Sequence, residues 1–154
     1  MTKTLTFTDS HCHLDFDTFS TNTAALLNQC YQAHINNIVI PTIGPSNWLK
    51  ALEFAKRFTS NRVSLHTCLG IHPWFLNELT PNSLNDLEAL LVEHLAEISA
   101  IGEAGIDGVI DKEHNNMSEQ LAIFDGQLQL AKKYDLPIIV HHRRSHQDIV
   151  PLLR

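Results

Sequence analysis

The chain lacks most features that mark secreted, membrane or disulfide-stabilised proteins. Its 154 residues include only three cysteines, Cys12, Cys30 and Cys68, without CxxC spacing, which argues against a disulfide framework. No apolar run approaches the roughly 20 residues of a transmembrane helix, and residues 1–4 leave no room for a signal peptide before the first strand pattern. We therefore expect a cytoplasmic protein without a membrane partner.

Excess basic charge is also missing. Lysine and arginine total 11 against 17 acidic residues, a net charge of −6, so the composition gives no sign of a basic face for nucleic acid. An acidic balance does not exclude a nucleic-acid substrate where a metal site supplies positive charge. No linker, low-complexity segment or residue repeat divides the chain, which is 44% hydrophobic. Residues 1–154 are accordingly predicted to form one domain.

Strand and helix patterns alternate along the whole chain. Apolar residues at helical spacing separate five short runs typical of strands, at 5–7, 38–43, 62–69, 98–102 and 137–140. A β-α order repeated in this way predicts a parallel sheet with helices outside it. The fold class is therefore α/β.

The helix boundaries follow from caps and apolar stripes. Ser46, Ser83 and Ser145 are predicted N-caps of three helices, and Pro151 should distort the last of them. A polar loop is expected through residue 116. The long helix after it should bury a stripe made of Leu121, Phe124, Leu128 and Ala131.

Histidine is abundant, with ten in the chain, and several histidines follow strand patterns. His11 and His13 end the first strand, His72 follows the third, Glu103 ends the fourth and His141 ends the fifth. The carboxyl ends of parallel strands meet at the edge where α/β proteins bind ligands. A single histidine there is usually a packing or surface residue, but four such strand ends indicate a metal site.

Spacing and chemistry suggest which of these side chains could bind one cation and which could bridge two. His11 and His13 share one strand face, with Cys12 turned away, so two imidazoles can bind one cation; the alternative is two ordinary surface or core histidines. The carboxylate of Glu103 can bridge two cations about 3.5–4 Å apart. The alternative for Glu103 is a simple ion pair with a lysine or arginine.

Other polar residues near these positions have less specific signals. His72, in the motif GIHP, can contact substrate or donate a proton, or it can be a structural loop histidine. Arg143 can bind phosphate through two hydrogen bonds, whereas Arg144 is better read as a solvated residue at a helix start. His66 and Cys12 are interpreted as core residues.

These motifs together resemble the TatD family of metal-dependent deoxyribonucleases, which belongs to the amidohydrolase-like TIM-barrel enzymes. The segments that carry the resemblance, in the family's order, are DSHCHLDF at 9–16, GIHP at 70–73, IGEAGID at 101–107 and LPIIVH at 136–141. Residues 131–137 and 143–146 are most similar to the YjjV-like branch. The resemblance covers nearly the whole chain.

The resemblance implies a TIM-barrel fold and a site with two divalent ions, without distinguishing Mg, Mn and Zn. It implies hydrolysis of DNA phosphodiester bonds by metal-activated water. It assigns His11 and His13 to one ion, Glu103 to a bridging position and His141 to the second ion. The roles that it assigns to the remaining site residues are catalytic for Glu103 and His72, substrate-binding for His72 and Arg143, and ligand-orienting for Asp9 and Asp107.

The main departure from the family is the number of βα units. A barrel of this type has eight units in about 250 residues, and five are recognised here. The resemblance places a further histidine ligand after strand six and an aspartate after strand eight. We therefore expect a C-terminally truncated chain with impaired activity, which self-associates or pairs with a complementing C-terminal fragment.

Two other functions stay open. One is hydrolysis of cyclic amides or esters, as in related barrels. A carbamylated lysine bridging the metals would favour it, and Glu103 at that position favours the nuclease. The other is a non-catalytic metal-binding fragment.

Overall fold

The protein forms a curved sheet of five parallel strands, half of a barrel, with helices on its outer side. The computed structural model describes residues 5–154; residues 1–4, where the absence of a signal peptide was predicted, lie outside that range. The strands follow chain order across the sheet, with every neighbouring pair parallel. They are β1 (Phe7–Asp9), β2 (Ile35–Pro41), β3 (Ser64–Leu69), β4 (Ile98–Asp107) and β5 (Ile138–Arg143). The predicted α/β fold of TIM-barrel type, incomplete here at five strands, is confirmed.

Six α-helices are found among the described residues. They are α1 (Thr23–Gln32), α2 (Trp48–Phe58), α3 (Ser83–Glu93), α4 (Ile110–His114), α5 (Met117–Tyr134) and α6 (His146–Ile149). Two 3₁₀ helices, Asp17–Phe19 and Pro73–Glu78, follow β1 and β3. The short helix α4 occupies part of the segment expected to be a polar loop. Between residues 5 and 154, no helix has the length and apolar character needed to cross a membrane.

The core lies between the sheet and the helices because alternate strand residues point outward. Ile38 and Ile40 of β2 pack with residues of α1 and α2 and are almost fully buried. Further along the sheet, Phe124 of α5 packs against Ala104 and Ile106 of β4. A barrel left open at five strands predicts that the inward faces of residues 38–43 and 137–140 are open to water. Ile38 and Ile40 point outward to the helices, whereas Val39 and Ile139, on the opposite face, are half-buried.

Helix α5 buries a different stripe from the predicted one. Phe124 and Ala131 are buried as expected, but Leu121 and Leu128 are half-buried. Gln120 and Gln127 are 1% and 0% exposed. A pattern that counts only apolar residues misses such glutamines, because their burial depends on backbone partners from distant strands. The buried polar side chains therefore mark contacts that only the fold creates.

Three helix starts also differ from the prediction. Ser83 is the first residue of α3, and Asn82 precedes it. Asn47, not Ser46, precedes α2, and its Oδ1 accepts hydrogen bonds from the backbone of Ile43 and Gly44. Ser145 does precede α6, but its hydroxyl donates to the Ile106 carbonyl at 2.7 Å instead of capping the helix. Helix α6 ends before Pro151, which lacks the backbone N–H that a helix interior needs.

Candidate metal centre

The carboxylate of Glu103 lies at the centre of a cluster of imidazoles. Its Oε2 is 3.0 Å from His11 Nε2 and 3.5 Å from His13 Nε2. Its Oε1 is 2.9 Å from His141 Nδ1 and 3.6 Å from His72 Nε2. The structure thus brings together all five residues that the sequence places after strands. Each carboxylate oxygen faces its own pair of imidazoles.

Backbone contacts hold Glu103 and His141 close together. The backbone N–H of Glu103 donates to the carbonyl of the buried Thr42 at 2.9 Å. Gly105, at φ +156, allows β4 and β5 to approach, since a Cβ there would lie 2.0 Å from the His141 carbonyl oxygen. A side chain at position 105 would therefore push His141 away from Glu103.

Hydrogen bonds fix which nitrogen of His13 and His141 faces the carboxylate. His13 Nδ1 lies 3.0 Å from the Pro41 carbonyl oxygen, so Nδ1 carries the proton and Nε2 presents its lone pair to Glu103. His141 Nε2 lies 3.1 Å from Asp107 Oδ2 and carries the proton, so Nδ1 presents its lone pair to Glu103. Metal-binding histidines usually have such a partner on the other ring nitrogen.

His72 has the opposite arrangement. Its Nδ1 accepts the backbone N–H of Trp74 at 3.1 Å, so the proton of the neutral ring is on Nε2. That nitrogen lies 3.0 Å from His141 Nδ1 and points at the cluster. His72 is buried, at 6% exposure. It therefore presents a hydrogen-bond donor, not a lone pair, to the centre of the site.

Asp107 anchors the side of the cluster next to β5. It is fully buried, and its Oδ2 accepts a hydrogen bond from the Trp74 indole N–H at 2.7 Å as well as meeting His141. The exposed Arg143 reaches within 3.8 Å of the same oxygen. Asp9 behaves differently, because its Oδ1 accepts the backbone N–H of His11 at 3.1 Å and not an imidazole proton.

The cluster shifts the pKa values of its members. Burial alone would raise the pKa of Glu103, but hydrogen bonds with His13 and His141 hold it far below its ordinary range. The hydrogen bond with Glu103 raises the pKa of His13. For His141, burial lowers the pKa, but the hydrogen bonds with Glu103 and Asp107 outweigh it and raise the pKa. Burial, with the charge of His141 nearby, lowers the pKa of His72 to about 4. Hydrogen bonds, led by the Trp74 indole, overcome burial and lower the pKa of Asp107 to about 2.

The donor atoms fit divalent cations on both sides of the carboxylate. Two sets have nitrogen or carboxylate oxygen atoms within 4.8 Å of one another: His11, His13 and Glu103, and His72, Glu103 and His141. In the second set His72 contributes an N–H and not a lone pair. In the neutral rings of His13 and His141, a lone pair faces a carboxylate oxygen, an arrangement that needs a proton or a cation between the two atoms. Imidazole nitrogen and carboxylate oxygen suit Zn²⁺, and carboxylate suits Mg²⁺ and Mn²⁺.

The other histidines and polar residues discussed above lie away from this cluster. His66 is half-buried, and its ring has the hydrogen-bond partner expected of a core histidine, since it contacts Asn37 at 2.9 Å. Cys12 packs beside the apolar residues of α1, and burial raises the pKa of its thiol. Arg144 is exposed.

Sequence patterns missed three residues that contact the cluster. Thr42 and Trp74 are described above, and the third is Phe16, whose ring stacks on His13 with centroids 4.9 Å apart. Phe16 is the last residue of the segment quoted at 9–16, and Trp74 directly follows the segment at 70–73. Their position beside the histidines was the signal that could have identified them as contacts of the cluster, whereas no sequence signal pointed to Thr42.

A parallel half-barrel with a carboxylate between imidazoles at its carboxyl edge is the arrangement of a metal site in the TIM-barrel fold class. The family described as TatD related DNase matches residues 8–154. The chain belongs to the TatD family, as the resemblance predicted.

Individual relatives agree with this assignment. The uncharacterized metal-dependent hydrolase YjjV of Escherichia coli K12 is 34% identical over 96% of this chain and 55% of its own. The crystal structure of YjjV superposes with a TM-score of 0.82 at 36% identity, covering 93% of this chain and 53% of that one. A 3′-5′ ssDNA/RNA exonuclease TatD of Edwardsiella piscicida is 28% identical over 88% of this chain and 50% of its own. The chain thus spans about half the length of these relatives.

Proposed function

We propose that the chain carries the metal-binding part of a hydrolase that cleaves phosphodiester bonds of DNA. The observation that carries this proposal is the Glu103 carboxylate, which meets imidazoles on both of its oxygens. A carboxylate at this position, where a carbamylated lysine would favour amide hydrolysis, supports the phosphodiesterase over the amidase. The name of the Edwardsiella exonuclease supports the same substrate class.

Two divalent cations are part of the proposal. His11 and His13 with Glu103 Oε2 would hold one, and His141 Nδ1 with Glu103 Oε1 would hold the other. Such ions, when bound, polarise phosphoryl oxygens and lower the pKa of water. Asp107 keeps the His141 proton on Nε2 and so leaves Nδ1 free to bind an ion.

Two residues would act on the substrate itself. His72 Nε2–H, fixed by the hydrogen bond on Nδ1, can donate to a phosphate oxygen or protonate the leaving oxygen. Its lowered pKa favours the neutral ring before substrate arrives. Arg143 is exposed beside Asp107, where a guanidinium can bind a phosphate through two hydrogen bonds.

The proposal extends to assembly and location. In residues 5–154, β1 and β5 each pair with only one strand, and unpaired strand edges favour association. We expect a second copy or a complementing fragment to cover them, and we expect weak hydrolysis by the chain alone. The three cysteines are free, which fits work in the reducing cytoplasm.

The variant Glu103→Gln tests the function. It keeps the side-chain shape and removes the charge, so binding of Mn²⁺ by calorimetry and hydrolysis of DNA should both be lost. The matched control is Glu113→Gln, because Glu113 is an exposed glutamate outside the cluster, and it should behave as wild type.

Substrate choice separates the two hydrolase functions. Wild type should cleave DNA and leave a cyclic amide intact. DNA hydrolysis that survives in Glu103→Gln would refute the bridging role. Cleavage of the cyclic amide but not of DNA would refute the proposed phosphodiesterase function and favour the amide hydrolase.

A further inference from the structure

Two aromatic side chains remain exposed next to the cluster. Phe16 is 38% exposed and Trp74 is 48% exposed. The ring of Phe16 stacks on His13 at an interplanar angle of 22°. The ring of Trp74 lies 5.5 Å from that of His72 and 6.4 Å from that of His141. One exposed ring therefore accompanies each side of the Glu103 carboxylate.

The indole of Trp74 is held firmly in spite of its exposure. Its N–H donates to the fully buried Asp107 at 2.7 Å, and the backbone N–H of the same residue donates to His72. Hydrogen bonding at one edge fixes the ring while its surface stays open to solvent. A ring that is already immobile loses little conformational entropy when a ligand stacks on it.

We propose that Trp74 and Phe16 form a base-stacking site, which binds unpaired nucleobases on the two sides of a phosphate at Glu103. The inference rests on the proposed function and adds the two side chains that would hold the unpaired bases. Bases stack on aromatic side chains irrespective of sequence, but bases inside a duplex are covered by their neighbours. Because the chain has a net charge of −6, stacking supplies affinity that a basic surface would otherwise provide.

Binding to two matched strands tests the site. One probe is an oligothymidylate with hydrolysis-resistant phosphorothioate linkages, and the other is an abasic phosphorothioate strand of the same length, both with Mn²⁺ present. Tryptophan fluorescence reports directly, because the second tryptophan, Trp48, is only 3% exposed. We expect the oligothymidylate to quench the emission of Trp74 and to bind more tightly than the abasic strand.

Variants separate stacking from the support that Trp74 gives to Asp107. Trp74→Leu should lower the ratio of oligothymidylate affinity to abasic-strand affinity by about 5- to 150-fold, because any effect transmitted through Asp107 weakens both strands equally. Trp74→Phe loses the indole hydrogen bond but keeps a ring, so it should retain the preference for bases. Tyr31→Leu is the matched control, since Tyr31 is 41% exposed on α1, and it should bind both strands as wild type does.

Each contrary result has a distinct meaning. Equal weakening of both strands by Trp74→Leu, or loss of the base preference in Trp74→Phe, would overturn the stacking site and leave only a positioning role. Equal wild-type affinity for the two strands would overturn the stacking site while the proposed hydrolase stands. Failure of wild type to bind either strand would overturn both.

Discussion

The glutamine at position 127 should contribute far more to stability than its residue type suggests. Its Oε1 accepts the Ile71 N–H at 2.7 Å and its Nε2 donates to the Ile71 carbonyl at 3.1 Å. Ile71 is only 1% exposed, so water cannot replace these bonds. Gln127→Leu would leave one donor and one acceptor buried without that partner, at about 1–3 kcal/mol each.

The expected loss in the free energy of unfolding is therefore about 2–6 kcal/mol, a large part of the roughly 5–15 kcal/mol of a typical domain. This loss is measured by urea denaturation, with circular dichroism monitoring the unfolding. The control is Gln129→Leu on the same helix, because Gln129 is exposed, and its effect should stay within about 0.5 kcal/mol. A loss for Gln127→Leu no larger than that of Gln129→Leu would refute the argument that its carboxamide replaces a backbone partner.

Three further predictions concern the metal centre and the sheet edges. The pKa values of His13 and His141 are raised, so protons should compete with Mn²⁺ already above the ordinary histidine value of about 6.5. Calorimetry should therefore find that Mn²⁺ binds more weakly as the pH falls, and an affinity that does not change with pH would contradict histidine ligation. Asp107→Asn should weaken Mn²⁺ binding by about 10- to 100-fold because His141 loses its charged partner, and unchanged affinity would remove Asp107 from the site. Light scattering at micromolar concentration should detect association through β1 and β5, whereas a monodisperse monomer would show that these edges are protected.

Much of the fold followed from periodicity. Apolar runs separated by helical stripes predicted five parallel strands in order, because the repeat of a strand differs from that of a helix. Local capping was predicted less well. Ser46 and Asn47 are both plausible N-caps by type. What distinguishes them is the set of contacts of the Asn47 side chain, which include a hydrogen bond donated to Asp15 at 3.0 Å.

The buried glutamines of α5 show a second kind of limit. Gln120 Oε1 accepts the Asp107 backbone N–H at 2.7 Å, and Gln127 makes the equivalent contact with Ile71. In a list of residue types both look like surface positions. Their burial becomes visible only when the strand ends that they contact are placed beside the helix.

The sequence by itself determined the strand order and the identity of the five clustered residues, since the carboxyl ends of parallel strands must share one edge. It did not determine what each imidazole presents to the centre. That was decided by contacts far apart in the chain: Pro41 to His13, Asp107 to His141 and the Trp74 backbone to His72. A neutral imidazole has one donor and one acceptor nitrogen, so the partner of one nitrogen sets the role of the other.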